Sequence, residues 1–280
     1  MPYLETNGKR RLYYELDDYT DPWRDAPYIV LQHGFGRSSR FLSSWVPYLS
    51  RFYKVVRPDL RGLGRSPVDY ERGRSFSAEL FIEDLTALMG ELDATSVHYS
   101  GETLGGILGI VFAATCPERV RTLSVVSSPL FVSDKDNQST TYGYSSRLEA
   151  LQKMGARGWA EASNAGRRFP PDADPEMLRW YVDEMGQSDL EVLVSISRWV
   201  SQANAVPFLP KIKAPMLGLY ASHGPIVDDD QIRMLREKVQ NVRIVRFPCR
   251  YQYIQNLKPA ACALEVLHFA AQHDGIACRE

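Results

Sequence analysis

A glycine-rich turn near the middle of the chain holds the residues whose spacing points most directly to chemistry. Residues 100–106 (SGETLGG) lie between a β-rich stretch at 96–100 and a helical pattern at 104–115. In a G-x-T-x-G turn, the two glycines let the chain bend sharply and lift the central side chain above a sheet, at a helix N-terminus. The pattern therefore predicts Thr103 in the position of a nucleophile, which needs a base to activate it.

Two upstream loops follow strand-like stretches in a comparable way. The stretch 27–32 runs into residues 33–36 (HGFG), and the stretch 53–57 runs into residues 58–66 (PDLRGLGRS). In order and spacing, these loops and the turn at Thr103 resemble the α/β-hydrolase superfamily over nearly the whole chain. The resemblance is closest to the cap-bearing branch of lactonases, esterases, epoxide hydrolases and carbon–carbon bond hydrolases. It implies an oxyanion hole that is formed by the backbone N–H groups of Phe35 and Leu104.

The sequence departs from this family at the three positions of its catalytic triad, where hydrolytic members carry Ser, an acid and His. Thr103 stands at the position of the Ser. The loop at 221–227 (ASHGPIV) puts Gly224 at the position of the acid, and residues 252–259 (QYIQNLKP) put Gln252 at the position of the His. Glutamine does not take up a proton at neutral pH as imidazole does, so the sequence predicts a degenerate triad.

The other candidate site residues surround this turn. His33 is the best remaining base, although the resemblance implies that it holds the HG loop in shape. Glu102 could move a proton only if its side chain turns towards the pocket, and Gln252 and Thr103 would orient the substrate. Side chains that could bind the substrate, or could equally be packing or surface residues, are Tyr251, Tyr253, His223, Trp159, Trp180 and Trp199.

These residues favour an atypical enzyme that stabilises an oxyanion without a Ser-His-Asp triad. Such a site suits lyase, isomerase or condensation chemistry on a small lipophilic ester, lactone or β-dicarbonyl compound. Two alternatives remain open. The first is a hydrolase that uses Thr103 as its nucleophile, and the second is a catalytically silent relative that binds a ligand or a protein partner.

The elements that must position these residues alternate between strand and helix. Strand patterns occur at 11–15, 27–32, 53–57, 96–100, 121–127, 215–220 and 242–247, and helical patterns at 41–50, 77–92, 104–115, 228–239 and 259–271. This alternation predicts an α/β protein, an α/β-hydrolase fold with a doubly wound, mostly parallel sheet. Residues 130–210 carry helical patterns only. They predict an inserted helical cap between the core segments 1–129 and 211–280.

Composition narrows the class of partner. The 280 residues include 33 Lys and Arg against 34 Asp and Glu, so the chain lacks the basic excess typical of proteins that bind nucleic acid or anionic membranes. No apolar run approaches the about 20 residues of a membrane-spanning helix. The four cysteines are far apart and suggest neither a metal site nor disulfides. We expect a cytoplasmic protein without cofactor, metal, nucleic acid or membrane partner, which binds a small apolar carbonyl substrate. The oligomeric state is open, a homodimer included.

Overall fold

Eight strands form one sheet in the computed structural model, which describes residues 3–6, 10–68 and 76–278. The strands are β1 (Tyr3–Thr6), β2 (Arg10–Asp17), β3 (Tyr28–Gln32), β4 (Lys54–Pro58), β5 (Val97–Glu102), β6 (Val120–Val126), β7 (Met216–Ala221) and β8 (Val242–Phe247). Their order across the sheet is β1-β2-β4-β3-β5-β6-β7-β8. Strand β2 runs antiparallel to β1 and β4, and the other neighbouring pairs are parallel. The predicted mostly parallel α/β sheet is confirmed.

Helices cover both faces of the sheet. They are α1 (Val46–Leu49), α2 (Ala78–Glu91), α3 (Leu104–Thr115), α4 (Asp134–Ser139), α5 (Arg147–Ser163), α6 (Pro175–Gly186), α7 (Leu190–Gln202), α8 (Asp229–Lys238), α9 (Ile254–Leu257) and α10 (Pro259–Asp274). The single helix predicted at 41–50 is instead a 3-10 helix, Ser39–Trp45, followed by α1. Proline at position 47 has no N–H and suits the first turn of a new helix. Within the described ranges, none of the helices has the combination of length and apolarity needed to cross a membrane.

The central strand β3 shows why the chain folds with helices on both faces. Its side chains alternate, so that Val30 packs into one buried hydrophobic cluster while Ile29 and Leu31 pack into another on the opposite face. The first cluster includes Leu108 of α3, and the second includes Val266 of α10. A strand buried on both faces is typical of a parallel sheet between two helical layers.

Four helices, α4 to α7, lie between β6 and β7, and we call them the inserted helices. A backbone hydrogen bond from Ala205 N to Leu130 O (2.7 Å) joins the two ends of this insertion. The cluster that contains Leu108 also contains Trp159 of α5 and Leu193 of α7, so the inserted helices pack on the core of the sheet. The division into a core and a separate cap at residues 130 and 210 stays a prediction.

The sheet changes direction at β3, and this places the site. The chain goes from β3 to β4 on one side and then to β5 on the other side. Loops that leave the carboxyl ends of such strands diverge, and the crevice between them is where open α/β sheets bind ligands. Here the loop after β3 begins at His33, and the turn after β5 contains Thr103.

Candidate active site

The turn between β5 and α3 has the strained geometry that its glycines predict. Thr103 has φ +48° and ψ −110°, a left-handed conformation that is uncommon for a β-branched residue. A Cβ added to Gly101 would lie 2.3 Å from the carbonyl oxygen of Gly105, and one added to Gly105 would lie 2.6 Å from the carbonyl oxygen of Gln32. Only glycine fits at these two positions, so β5, α3 and the loop after β3 approach closely around Thr103.

Three polar groups around this turn have no hydrogen-bond partner among the described residues. The Oγ1 atom of Thr103 is buried and makes no hydrogen bond in the part of the chain that the structure describes. It lies against Gly34, whose added Cβ would be 2.0 Å away. Among the described residues, neither the N–H of Phe35 nor the N–H of Leu104 donates a hydrogen bond to protein. Both predicted oxyanion-hole donors are therefore available to a ligand.

A cleft opens above Thr103, between the carboxyl ends of the strands and the inserted helices. Its empty volume is about 680 Å³ when the space at its open mouth is included. The described part of the chain places six of the twelve predicted site residues in its lining: Thr103, Phe35, Leu104, Gln252, Tyr253 and Trp159. These six come from the ends of three different strands and from α5, so only the fold brings them together.

The positions that the resemblance assigns to the acid and the base lie side by side. Gln252 lines the cleft and also a small neighbouring cavity, which Gly224 and Ser127 line as well. Ser127 Oγ donates to the backbone oxygen of Gln252 at 2.6 Å. Among the described residues that line the main cleft, Asp136 is the one carboxylate and there is no histidine. Nor do the described residues include a group of three or more His, Cys, Asp or Glu that could hold a metal ion.

His33 lies outside the cleft lining and is fully buried beneath the loop that it begins. Its Nδ1 bonds to the carbonyl oxygen of Gly34 at 2.9 Å, and its Nε2 accepts the N–H of Leu60 at 2.9 Å. Burial lowers the pKa of His33 to about 4, despite smaller opposing effects from the Gly34 hydrogen bond and the nearby carboxylate of Glu102. Both ring nitrogens are therefore occupied by backbone groups. This geometry supports the alternative in which His33 holds the HG loop in shape and leaves neither nitrogen free for a ligand.

Glu102 also points away from the cleft. Its carboxylate accepts hydrogen bonds from Gly34 N (3.1 Å), from Arg37 and from Gln255 Nε2 (2.5 Å). Burial by itself would lower the pKa of Arg37, but the charge of Glu102 raises it above its usual value, so Arg37 keeps its positive charge. The side chain of Glu102 does not turn towards the pocket, which was the condition for a role in proton transfer. Its contacts instead tie the loop after β3 to α9.

The four other predicted binding residues lie outside the lining of the cleft. Trp180 packs on Phe41, with ring centroids 4.7 Å apart, and Trp199 packs on Phe76 at 5.5 Å. His223 is exposed, and Tyr251 lies beyond the end of β8, where its N–H meets Cys249 Sγ at 3.4 Å. Trp180 and Trp199 therefore take part in packing and His223 faces solvent, so the structure does not bring these side chains to the site.

The cleft is less apolar than its aromatic residues suggested. Among the described residues four arginines line it, none of which the sequence predicted as a site residue: Arg37, Arg147, Arg167 and Arg168. Tyr142 lines it too, and burial raises the pKa of this phenol. The adjacent pair Arg167–Arg168, in a short π-helix (Asn164–Arg168) after α5, was the one local signal that could have drawn attention to this side of the site.

The fold and the site together define the class of protein. Residues 27–259 match the family model of the alpha/beta hydrolase fold, and the chain belongs to that family. A protein of Oryza sativa subsp. japonica named "probable esterase" is 33% identical over 194 residues, which are 67% of this chain and 70% of that protein.

The similarity extends to further proteins in sequence and in structure. The chain is 28% identical to the RutD protein of Stutzerimonas stutzeri (strain A1501), but the match spans only about half of each, 55% of this chain and 55% of that protein. The crystal structure of a hydrolase from Pseudomonas aeruginosa PA01 superposes with a TM-score of 0.81 at 21% identity, over 95% of this chain and 97% of that one. At this identity the structural likeness shows the fold.

Proposed function

We propose that this protein is an enzyme that binds a small carbonyl compound in the cleft and stabilises negative charge on its oxygen without a Ser-His-Asp triad. The observation that carries the proposal is the pair of backbone donors beside the strained Thr103, Phe35 N–H and Leu104 N–H, which have no acceptor among the described residues. Donors that are fixed in advance and shielded from water stabilise a developing oxyanion strongly.

The lining supports chemistry through an enolate or a related oxyanion. Removing a proton from the carbon beside a carbonyl leaves an enolate, whose negative oxygen the two N–H groups would receive. The carboxylate of Asp136, the one carboxylate in the described lining, would take that proton, and Tyr142 is a phenol that burial keeps protonated at neutral pH. Thr103 and Gln252 would orient the substrate through their uncharged polar side chains. Lyase, isomerase and condensation reactions share this requirement.

Hydrolysis with Thr103 as nucleophile is the second candidate, and the relative named "probable esterase" favours it. This route needs a base within reach of the threonine hydroxyl. Thr103 Oγ1 has no hydrogen-bond partner among the described residues, and Asp136, the one carboxylate in the described lining, is paired with Arg167 at 2.9 Å. Both routes would rely on Asp136 as their base, so we prefer the oxyanion enzyme only because Thr103 Oγ1 has no partner and the two backbone donors are open among the described residues.

Turnover of a panel of activated esters, lactones and β-dicarbonyl compounds tests the proposal, with products followed by mass spectrometry. Wild type is compared with Thr103→Ala and with the control Thr141→Ala, whose hydroxyl bonds to a helix carbonyl at 3.0 Å outside the cleft. We expect conversion of dicarbonyls that survives in Thr103→Ala, and no cleavage of esters. Ester or lactone hydrolysis that disappears in Thr103→Ala alone would establish the nucleophile instead. Binding without any turnover would identify a silent relative.

A further inference from the structure

The charges that line the cleft do not balance. Two of its four arginines have carboxylate partners: Arg37 pairs with Glu102, and Arg167 pairs with Asp136 at 2.9 Å. Asp136 is the one carboxylate among the described residues of the lining, and its other oxygen accepts the hydroxyl of Ser133 at 2.8 Å. These two ion pairs are neutral as units, so any excess charge must come from the remaining two arginines.

The remaining two, Arg147 and Arg168, form no ion pair in the described part of the chain. The Nε of Arg147 is buried without a hydrogen-bond partner. Arg168 is buried, and its hydrogen bonds go to the hydroxyl of Ser163 and, at 3.9 Å, to the sulfur of Met185. Both cations therefore lack an anion.

Aromatic faces hold these two guanidinium groups in place. The Cζ of Arg147 lies 5.3 Å from the ring centre of Trp159 and 5.2 Å from that of Phe35. The Cζ of Arg168 lies 4.8 Å from the same Trp159 ring and 5.3 Å from the Tyr253 ring. Cation–π contacts position a guanidinium and leave its N–H groups free for an anion.

This arrangement is unfavourable in the absence of a ligand. Burial lowers the pKa of Arg147 to about 10, and the like charge of Arg168 acts in the same direction. Arg147 remains protonated at neutral pH, so two cations share one indole ring inside a cleft. Unpaired buried charge is costly, whereas a guanidinium that meets a carboxylate or phosphate forms two parallel charge-assisted hydrogen bonds. A bound anion would relieve the imbalance.

We infer that Arg147 and Arg168 bind an anionic group of the substrate, a carboxylate or a phosphate, and that the ligand of the cleft is an anionic carbonyl compound. This inference rests on the proposed function, and it replaces the apolar substrate expected from the sequence with a charged one. Phe35 links the two parts of the site, because its ring contacts the guanidinium of Arg147 while its N–H is an oxyanion donor. The anionic group and the reacting carbonyl would lie on either side of this residue.

Binding of a charge series by titration calorimetry tests the inference without requiring turnover. Glutarate, monomethyl glutarate and dimethyl glutarate share one skeleton and carry two, one and no negative charges. We expect wild-type affinity to fall about tenfold or more from glutarate to the dimethyl ester. Inorganic phosphate serves as a fourth probe. If it binds more tightly than glutarate, the anionic group is a phosphate, and the opposite order identifies a carboxylate.

Matched variants assign the effect to the two arginines. Arg147→Gln and Arg168→Gln should each weaken glutarate about tenfold and leave dimethyl glutarate unchanged. Arg157→Gln is the control, because Arg157 lies in the same element as Arg147, beyond its kink at Gly155, but is exposed and pairs with Asp183 at 2.7 Å. Arg147→Lys and Arg168→Lys keep the charge and should lose less affinity than the glutamine variants, which separates anion binding from a folding defect.

Three results would overturn the inference: equal affinity for glutarate and its dimethyl ester, undiminished glutarate binding in both glutamine variants, or no detectable binding of any of the four probes by wild type. Failure of the proposed function gives a different pattern. If the protein binds glutarate through Arg147 and Arg168 but converts no carbonyl compound, the anion site is confirmed and the proposed enzymatic activity is refuted.

Discussion

Mild acid is expected to destabilise this protein through His33. The imidazole is fully buried, with Nδ1 bonded to the carbonyl oxygen of Gly34 and Nε2 accepting the N–H of Leu60, each at 2.9 Å. Only the neutral ring with its proton on Nδ1 satisfies both partners, because a second proton on Nε2 would face the N–H of Leu60. Burial is the main cause that lowers the pKa of His33 from its usual 6.5 to about 4.

The charged groups around the ring do not reverse this effect. Glu102 raises and Arg37 lowers the pKa of His33, and these two groups are paired with each other. The carboxylate of Asp59 lies 4.0 Å from Nε2, but burial also raises the pKa of Asp59 above its usual value, which weakens it as a counter-ion.

The sign and size of the effect follow from the shift. The unfolded chain takes up a proton near pH 6.5 while the folded protein resists it until about pH 4, so stability is complete above pH 6.5 and falls as the pH drops. One pKa unit corresponds to about 1.4 kcal/mol. The loss is therefore about 2 kcal/mol at pH 5 and approaches about 3 kcal/mol near pH 4.

Urea unfolding followed by tryptophan fluorescence, at pH 7.5 and pH 5.0, measures this loss. Carboxylates and the other histidines also titrate, so the quantity of interest is the difference between wild type and His33→Gln, in which all those groups remain. We expect wild type to lose about 2 kcal/mol more than His33→Gln between the two pH values. His268→Gln, which removes an exposed imidazole on α10, should behave as wild type does. Equal losses in wild type and His33→Gln would refute the reasoning.

Three further substitutions test other parts of the site. Thr103→Ser should not produce appreciable esterase activity in a 4-nitrophenyl acetate assay, because the described lining of the cleft holds neither a His nor an unpaired carboxylate. Strong activity would reveal a base that the structure does not suggest. Gly105→Ala should lower the free energy of unfolding by about 1–3 kcal/mol, because its Cβ would lie 2.6 Å from a backbone carbonyl oxygen. The control is Gly158→Ala inside α5, whose Cβ would lie 3.4 Å from its nearest neighbour. Thermal unfolding should show this control to be neutral or stabilising. Arg37→Met should lower the free energy of unfolding by about 3–5 kcal/mol, because it leaves the buried carboxylate of Glu102 without its partner. Adding Glu102→Gln should restore much of that stability in urea titrations. A double variant no more stable than the single one would contradict the pairing argument.

Features that depend on a few adjacent residues were predictable from the sequence. The glycines that flank Thr103 require close backbone approach, and the structure shows the contacts that exclude a Cβ there. The alternation of strand and helix patterns likewise predicted the parallel sheet. Its strands are recognisable in the sequence because their side chains are buried on both faces, which makes them short apolar runs. The division of the 41–50 helix was missed, although the proline at position 47 was a local signal for it.

The side chains that face the cleft could not be predicted in this way. His33 and Glu102 lie close to Thr103 in the fold, yet their hydrogen bonds go to Leu60 and Gln255, which belong to distant segments. The spacing of residues within the turn does not indicate which distant groups will bond to His33 and Glu102. Whether a titratable group is exposed to a ligand or consumed by a structural contact depends on which distant backbone and side-chain groups the fold brings against it.

The sequence by itself determined the fold class and the strained turn at Thr103, because local sterics and hydrophobic patterning act between near neighbours along the chain. The tertiary structure alone decided the electrostatic character of the cleft. Arg147 begins α5 and Arg168 ends the π-helix that follows it (Asn164–Arg168), and the two meet over the ring of Trp159 only once the inserted helices pack on the sheet. Charge balance in a buried cleft is a property of groups that are close in space, and a sequence with nearly equal numbers of acidic and basic residues does not reveal it.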